Sequence, residues 1–213
     1  MLFFFIRAIF SIGNIPLNSS YPYYLVPTTV LFEGRMYNSN YYRIPAILYL
    51  KDESVLAVCD MRHIYNADLP NKIAVVARRF SPDTRTWSEG YLISGPVRDV
   101  GDGDPALVYY RKNQTVFALW TGDKGFFGAG IANASHPQHI YFSRSYDNGI
   151  TWEDKHDITH FLCSHLCENC DERRREWRCA FVSSGAGLQT REGRLTFALL
   201  TKDETNSVRN YLI

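Results

Sequence analysis

From Pro27 onward the chain alternates between short apolar runs and polar turns. The runs are Ile44–Leu50, Val55–Cys59, Ile73–Arg78, Ala106–Tyr110, Val116–Trp120, Ile140–Ser145 and Leu195–Leu200. They are rich in Val, Ile, Tyr and Phe, and Gly, Asn, Asp and Pro separate them, the signature of strands joined by turns. No stretch sustains a helical period. The predicted class is all-β, with enough short strands for a sandwich, a barrel or a propeller.

An internal echo narrows the choice. Ser145-Tyr146-Asp147-Asn148-Gly149-Ile150-Thr151-Trp152 has the form S-x-D-x-G-x-T-W, and Ser81-Pro82-Asp83-Thr84-Arg85-Thr86-Trp87 is a shortened relative without the glycine. Trp87 and Trp152 stand 65 positions apart. That suits one four-stranded propeller blade, somewhat above the usual ~40–50 residues. In such a turn Asp147 accepts backbone N–H groups, Gly149 supplies a positive φ, and Trp152 plugs the gap beneath. Ser145, Asp147, Gly149 and Trp152 are therefore read as structural.

Tyr42-Arg43-Ile44-Pro45 heads the first apolar run. A guanidinium at the mouth of a core strand needs an anionic partner, because burying it alone is costly. That partner is either a protein carboxylate or the carboxylate of a ligand, gripped in a bidentate pair.

Composition adds little against this picture. Lys and Arg number 23 and Asp and Glu 22, for a net charge of +1, so the strong basic patch of a nucleic-acid binder is lacking. The run Arg173-Arg174-Arg175 is flanked by Asp171, Glu172 and Glu176 and reads as a self-neutralised loop. Fourteen Tyr, thirteen Phe and four Trp favour strands and sugar-facing surfaces.

The Arg-Ile-Pro motif combined with the two S-x-D turns resembles the sialidase (neuraminidase) family, in which F/Y-R-I-P is followed by Asp-boxes. The likeness covers roughly Tyr42 to the C-terminus, and the order of motifs matches as well. It implies a six-bladed β-propeller, of which about three blades fall within residues 31–213. It also implies an exo-α-sialidase, a retaining glycoside hydrolase acting on sialylated glycans with no metal or other cofactor.

The resemblance carries over residue by residue. Arg43 corresponds to the first of three arginines that clamp the sialic acid carboxylate. Arg62, in Asp60-Met61-Arg62, resembles the arginine beside the 4-hydroxyl; its bland alternative is a surface pair with Asp60. Asp68, in the loop before Ile73–Arg78, resembles the general acid/base, which must be protonated part of the time; a turn-capping Asp is the alternative. Asp104, in Gly101-Asp102-Gly103-Asp104-Pro105, resembles the Asp-Pro facing the 4-hydroxyl and N-acetyl side, with Asp102 as rival. Ser183 to Gln189 resembles the Gly-x-Gly-Ile-Gln segment of the third blade, in which Gln189 either contacts the sugar or braces a hairpin. The nucleophilic tyrosine, an exception among glycosidases, its Glu partner and the other two arginines belong to later blades. Glu176 is too early and lacks a partner tyrosine. The sequence therefore reads as the N-terminal half of a sialidase, missing its C-terminal half. A non-catalytic Asp-box propeller that binds glycans or proteins is the alternative.

Three features stand outside this reading. Residues 1–30 form a leader: Met1 to Ile12 is apolar, interrupted by Arg7, and too short to span a membrane. It resembles the core of a secretory signal but lacks a preceding basic residue and a clear cleavage site. Sequons at Asn18, Asn113 and Asn133 suit a secreted or lumenal protein, lysosomal or extracellular. Cys163, Cys167, Cys170 and Cys179 with His165 are compatible with disulfides or free thiols, a zinc knuckle, or an iron–sulfur motif; the last lacks its barrel pattern. Cys59 reads as a core residue.

Overall fold

The computed structural model describes residues 29–95, 100–126, 138–162 and 177–213. The chain divides into two compact units, Met1–Glu33 and Gly34–Ile213. Residues 29–33 are the described part of the first and carry no regular element. The sequons at Asn18 and Asn133, the cysteines Cys163, Cys167 and Cys170, His165, Glu176 and the arginine run lie outside the described residues, as does the apolar leader up to residue 28.

The second unit is built from successive antiparallel sheets. The first holds β1 (Tyr41–Tyr49), β2 (Val55–Arg62), β3 (Ile73–Ser81), β4 (Thr86–Trp87) and β5 (Tyr91–Ser94), in the order β1-β2-β3-β4 with β5 also on β3. The second holds β6 (Gly101–Tyr110), β7 (Thr115–Asp123), β8 (Gln138–Ser145) and β9 (His156–Asp157) in sequence order, followed by a single helical turn, α1 (Thr159–Leu162). The third starts with β10 (Cys179–Val182). The short β11 (Gly185–Ala186) then runs parallel to β6, with Gly185 opposite Ala106. β12 (Leu188–Gln189) pairs with β13 (Leu195–Thr196), and β14 (Ala198–Lys202) and β15 (Val208–Leu212) complete the β10-β14-β15 sheet.

Six of the seven apolar runs lie in single strands and the seventh, Leu195–Leu200, is divided at Phe197 between β13 and β14 of different sheets; the all-β class expected from the sequence is the observed one. The second sheet explains why its strands read as continuous apolar runs and not as alternating ones. Successive side chains of a strand point to opposite faces. Leu107, Val116, Ala118 and Trp120 pack against Leu56, Val58 and Val75 of the first sheet. Val108, Leu119 and Ile140 point the other way, onto Val182 and Leu199 of the third. A sheet buried on both faces leaves few positions for polar residues. Each such aliphatic side chain contributes about 1.5–3 kcal/mol relative to exposure.

The S-x-D turn closes β8 and is held by its aspartate. Asp147 Oδ1 accepts from Ser145 Oγ (2.8 Å), Ile150 N–H (3.1 Å) and Thr151 N–H (2.8 Å), and Oδ2 accepts from Thr151 Oγ1 (2.6 Å). Gly149 has φ 84°, and a Cβ there would lie 3.1 Å from Leu56, so any side chain would be strained. The turn is also pinned to the first sheet. Arg79 Nε donates to Asn148 O (3.0 Å), while Asp52 Oδ2 accepts from both Arg79 Nη2 (2.7 Å) and Asn148 Nδ2 (2.9 Å). In the shortened Ser81–Trp87 turn, Arg85 takes the positive φ, at 57°, and Trp87 packs on Phe80 with ring centroids 5.6 Å apart.

Burial opposes the Asp147 charge, but the hydrogen bonds from Thr151, Ser145 and Ile150 outweigh it and hold the carboxyl below its ordinary 3.8. A carboxyl depressed in the folded state stabilises above the unfolded value and loses that contribution as pH falls through the folded one. Asp147→Asn should therefore cost about 1–2 kcal/mol at pH 7, and the difference should shrink below about pH 4. Urea midpoints of both proteins across that range check this.

Candidate active site

The strands outrun their apolar cores. From the sequence β1 was expected to start at Ile44 and β2 to end at Cys59, but pairing continues through Arg43↔Asp60, Tyr42↔Met61 and Tyr41↔Arg62. Likewise β6 begins at Gly101, ahead of the apolar run at Ala106. The backbone ladder does not depend on side-chain polarity, so hydropathy marks where strands bury apolar atoms and not where pairing stops. These polar extensions carry the chemistry.

Two inner strands share a device. The β1 register shifts between Arg43 and Ala46, with Ile44 at φ 56°. The β6 register shifts between Gly103 and Ala106, with Asp104 at φ 61°. In each case proline follows, Pro45 and Pro105; it cannot donate to the ladder and so suits a bulge. A positive φ is rare for a β-branched residue such as Ile44, and such conformations cost about 1–3 kcal/mol. The kinks re-aim Arg43 and Asp104 out of the normal pleat.

These side chains converge with the loop that joins β2 to β3. Arg62 has no exposed surface. Its Nη2 lies 2.8 Å from Asp60 Oδ2 and 2.8 Å from Asp68 Oδ1, its Nε donates to Asp60 Oδ2 (3.2 Å), and its Nη1 donates to Asn66 O (2.9 Å). Arg43 Nη1 reaches the same two acceptors, Asp68 Oδ1 (3.3 Å) and Asn66 O (3.2 Å). Asp68 is 65% exposed and Arg43 42% exposed, so both face solvent. Asp60 is fully buried, and its Oδ1 accepts the Asp104 N–H at 2.7 Å, which ties β6 of the second sheet to β2 of the first.

The loop carrying Asp68 is braced from within. Asn71 Nδ2 donates to Tyr65 O (2.9 Å) and Ala67 O (2.8 Å), and its Oδ1 accepts the Lys72 N–H (2.8 Å). Leu69 is buried beside Gly125. Nothing in the sequence singled out Asn71. Asp60 had a faint signal, because alternate positions on one strand, as in Asp60-Met61-Arg62, share a face.

Burial, then the charge of Asp104, push the Asp60 carboxyl up to about 7, against the pull of Arg62. Burial, then Asp68, push Asp104 up to about 6, against Arg62 and Arg43. The counter-charge in this carboxylate cluster is two guanidiniums. Among the described residues no group of three or more His, Cys, Asp or Glu is arranged to hold a metal.

Arg43, Arg62, Asp68 and Asp104 are thus brought together. The alternative weighed for Arg62, a surface pair with Asp60, has the right partner but the wrong place, because the pair is buried. Asp102, the rival of Asp104, is buried and held by Ser94 and by Lys155 Nζ (2.9 Å). Gln189 is not in the cluster. Its Oε1 accepts from Arg111 N–H and Nε–H, both at 3.0 Å, in the β6–β7 turn at the opposite strand ends. This geometry is that of the hairpin-bracing alternative: β11 runs parallel to β6 from Ala106 toward Tyr110, and Gln189 follows at the end of β6 far from Asp104. Cys59 is buried as expected, and Cys179 is buried at the start of β10. Among the described residues no helix is long and apolar enough to cross a membrane.

No protein-family model matches the chain. Among characterised proteins it is similar to a sialidase of Micromonospora viridifaciens, 29% identical over 163 residues, which is 71% of this chain and 23% of that protein. Among solved structures it is similar to the Hadza microbial sialidase Hz136, with a TM-score of 0.70 and 21% identity, covering 82% of this chain and 35% of the other. It is also similar to Trypanosoma rangeli sialidase in complex with 2,3-difluorosialic acid, described as a covalent intermediate. There the TM-score is 0.65 and the identity 14%, over 82% of this chain and 28% of the other. The chain therefore spans about a quarter to a third of the length of these relatives. Its sheets correspond to part of the propeller of those enzymes, and in sequence and in fold the chain is a homologue of sialidases.

Proposed function

We propose that this chain carries the glycone-binding and acid–base part of a retaining exo-α-sialidase, which releases terminal sialic acid from glycoproteins, glycolipids and oligosaccharides. The observation that carries the reading is the sharing of one Asp68 oxygen by Arg43 and Arg62 at the solvent-facing ends of β1 and β2. Asp104 from the neighbouring sheet is tied to the same cluster through Asp60.

The incoming sugar carboxylate takes the exposed Arg43 donors now shared with Asp68. Charge-assisted guanidinium–carboxylate bonds are the strong ones, and Arg43 is already held at the mouth. Asp68, released on that side and still held by Arg62, protonates the leaving glycosidic oxygen. Asp104 faces the 4-hydroxyl side, and Arg62, which has no exposed surface, holds Asp68 from behind. The nucleophilic tyrosine, its Glu partner and the remaining carboxylate arginines come from further blades of the kind the longer relatives possess. A covalent intermediate in the T. rangeli relative supports the retaining course.

Calorimetric titration of the 213-residue chain with N-acetylneuraminic acid tests the binding half of this reading. Arg43→Ala should weaken binding roughly tenfold to thirtyfold; unchanged affinity would remove Arg43 from its role. In a sialidase-length protein containing this segment, Asp68→Ala should slow release from natural glycans far more than from activated aryl sialosides. Equal losses on both would take the acid role away from Asp68.

A further inference from the structure

Asp60 touches no ligand in the site just described, because it has no exposed surface. Yet its carboxyl joins the two halves of that site. Oδ2 accepts both Nε and Nη2 of Arg62, and Oδ1 accepts the backbone N–H of the kinked Asp104. β6 approaches as closely as glycine allows: a Cβ on Gly103 would lie 3.2 and 3.3 Å from the two Asp60 oxygens.

The ionisable groups around it come from four elements. β1 gives Arg43. β2 gives Cys59 and Arg62. The β2–β3 loop gives Asp68. β6 gives Asp104 and Asp102, the latter already engaged by Lys155 and Ser94. With Asp60, Asp68 and Asp104 all ionised, the two arginines leave the cluster one negative charge in excess. An arriving carboxylate adds another, inside a partly desolvated site where like charges repel strongly. The balance is restored by a proton, and the group in which burial most opposes the charge is the natural acceptor.

We propose that Asp60 is the positioning residue of this site, holding Arg62 and the Asp104 kink as one unit and taking up a proton when an anionic sugar enters. The inference rests on reading the cluster as a sialic acid site. Its electrostatics agree: in the empty site burial and the Asp104 charge have already pushed Asp60 up to about 7, so one more negative charge raises it further. A ligand that raises the affinity for protons binds more tightly as pH falls.

The experiment is calorimetric titration of the full chain with N-acetylneuraminic acid, whose carboxylate stays ionised throughout, at pH 6, 7 and 8. Repeating it in two buffers of different ionisation enthalpy counts the protons taken up. A ligand-induced rise of about one unit at Asp60 gives uptake of roughly 0.4 proton at pH 7, and binding about fivefold tighter at pH 6 than at pH 8. Asp60→Asn should remove most of that uptake and flatten the pH dependence, and Asp60→Glu should restore both. Because Asp60→Asn leaves one side of the carboxyl mismatched and risks the fold, the Asp60 carboxyl carbon is also followed by NMR in the unaltered chain. It should titrate well above the ordinary carboxylate range and move upward on adding the sugar.

Binding without proton uptake, uptake unchanged in Asp60→Asn, or a carboxyl that titrates in the ordinary range overturns the inference and leaves the sialic acid site standing. No binding at any pH overturns both.

Discussion

Arg62→Met should destabilise the protein by about 3–5 kcal/mol at pH 8, the range for removing one partner of a buried ion pair. Methionine fills most of the volume but donates nothing. Asp60 would keep the Asp104 N–H and lose both guanidinium bonds, leaving a buried carboxylate without counter-charge. Such a group escapes by binding a proton. Removing the guanidinium takes away the pull that lowers the Asp60 value, so in the variant Asp60 is neutral over a wider range than in the parent. The folded variant then binds a proton that the unfolded chain, with its ordinary carboxyl, gives up. The loss should therefore be smaller at pH 5 than at pH 8, and urea unfolding at the two pH values reads the difference. Equal losses would mean that Arg62 matters for packing and not for charge. The double variant Asp60→Leu with Arg62→Met should recover part of the stability, because removing both charges removes the desolvation penalty. Recovery stays partial because the Asp104 N–H then lacks its acceptor.

Gly101→Ala should cost about 3 kcal/mol, the upper end for overpacking. A Cβ on Gly101 would sit 2.4 Å from Ile73 N, 2.5 Å from Asn71 O and 2.6 Å from Ile73 O. All three are backbone atoms at or just before the start of β3, so no side chain can rotate aside. The second sheet must retreat from the first where the Asp68 loop ends and β6 begins. The effect on the site should therefore exceed the effect of stability alone. In a folded variant at low temperature the Asp104 N–H to Asp60 bond should lengthen, which amide hydrogen exchange at Asp104 reports as lost protection. Intact protection there would show that the sheets absorb the methyl group elsewhere.

Much of the fold was legible because it depends on local signals. Six of the seven apolar runs became single strands, and Leu195–Leu200 was divided between two. The S-x-D-x-G-x-T-W turn forms its network within eight residues, so the sequence specifies it almost completely. The strands β5, β10 and β15 were not foreseen. Val208–Leu212 is largely exposed and interrupted by Arg209 and Asn210, and Tyr91–Ser94 offers an apolar run of only three residues. β10 is apolar throughout but only four residues long.

The site divides along the same line. Arg43, Arg62, Asp68 and Asp104 could be named from motifs because their types and order follow a family pattern. Gln189 lies elsewhere for a physical reason. β11 carries the chain along β6 away from Asp104, and Arg111, 78 positions earlier, holds the Gln189 side chain.

The sequence by itself determined the all-β class, the strand cores, the turns and the set of charged residues available for chemistry, because periodicity and turn residues act over a few positions. Only the tertiary structure decided that Asp60 is the hub of the cluster, that Asp104 and not Asp102 joins it, and that Gln189 does not. Those assignments depend on which strand ends meet and on how much water remains between them, and contacts such as Asp60 with Asp104, 44 residues apart, leave no local trace in the chain.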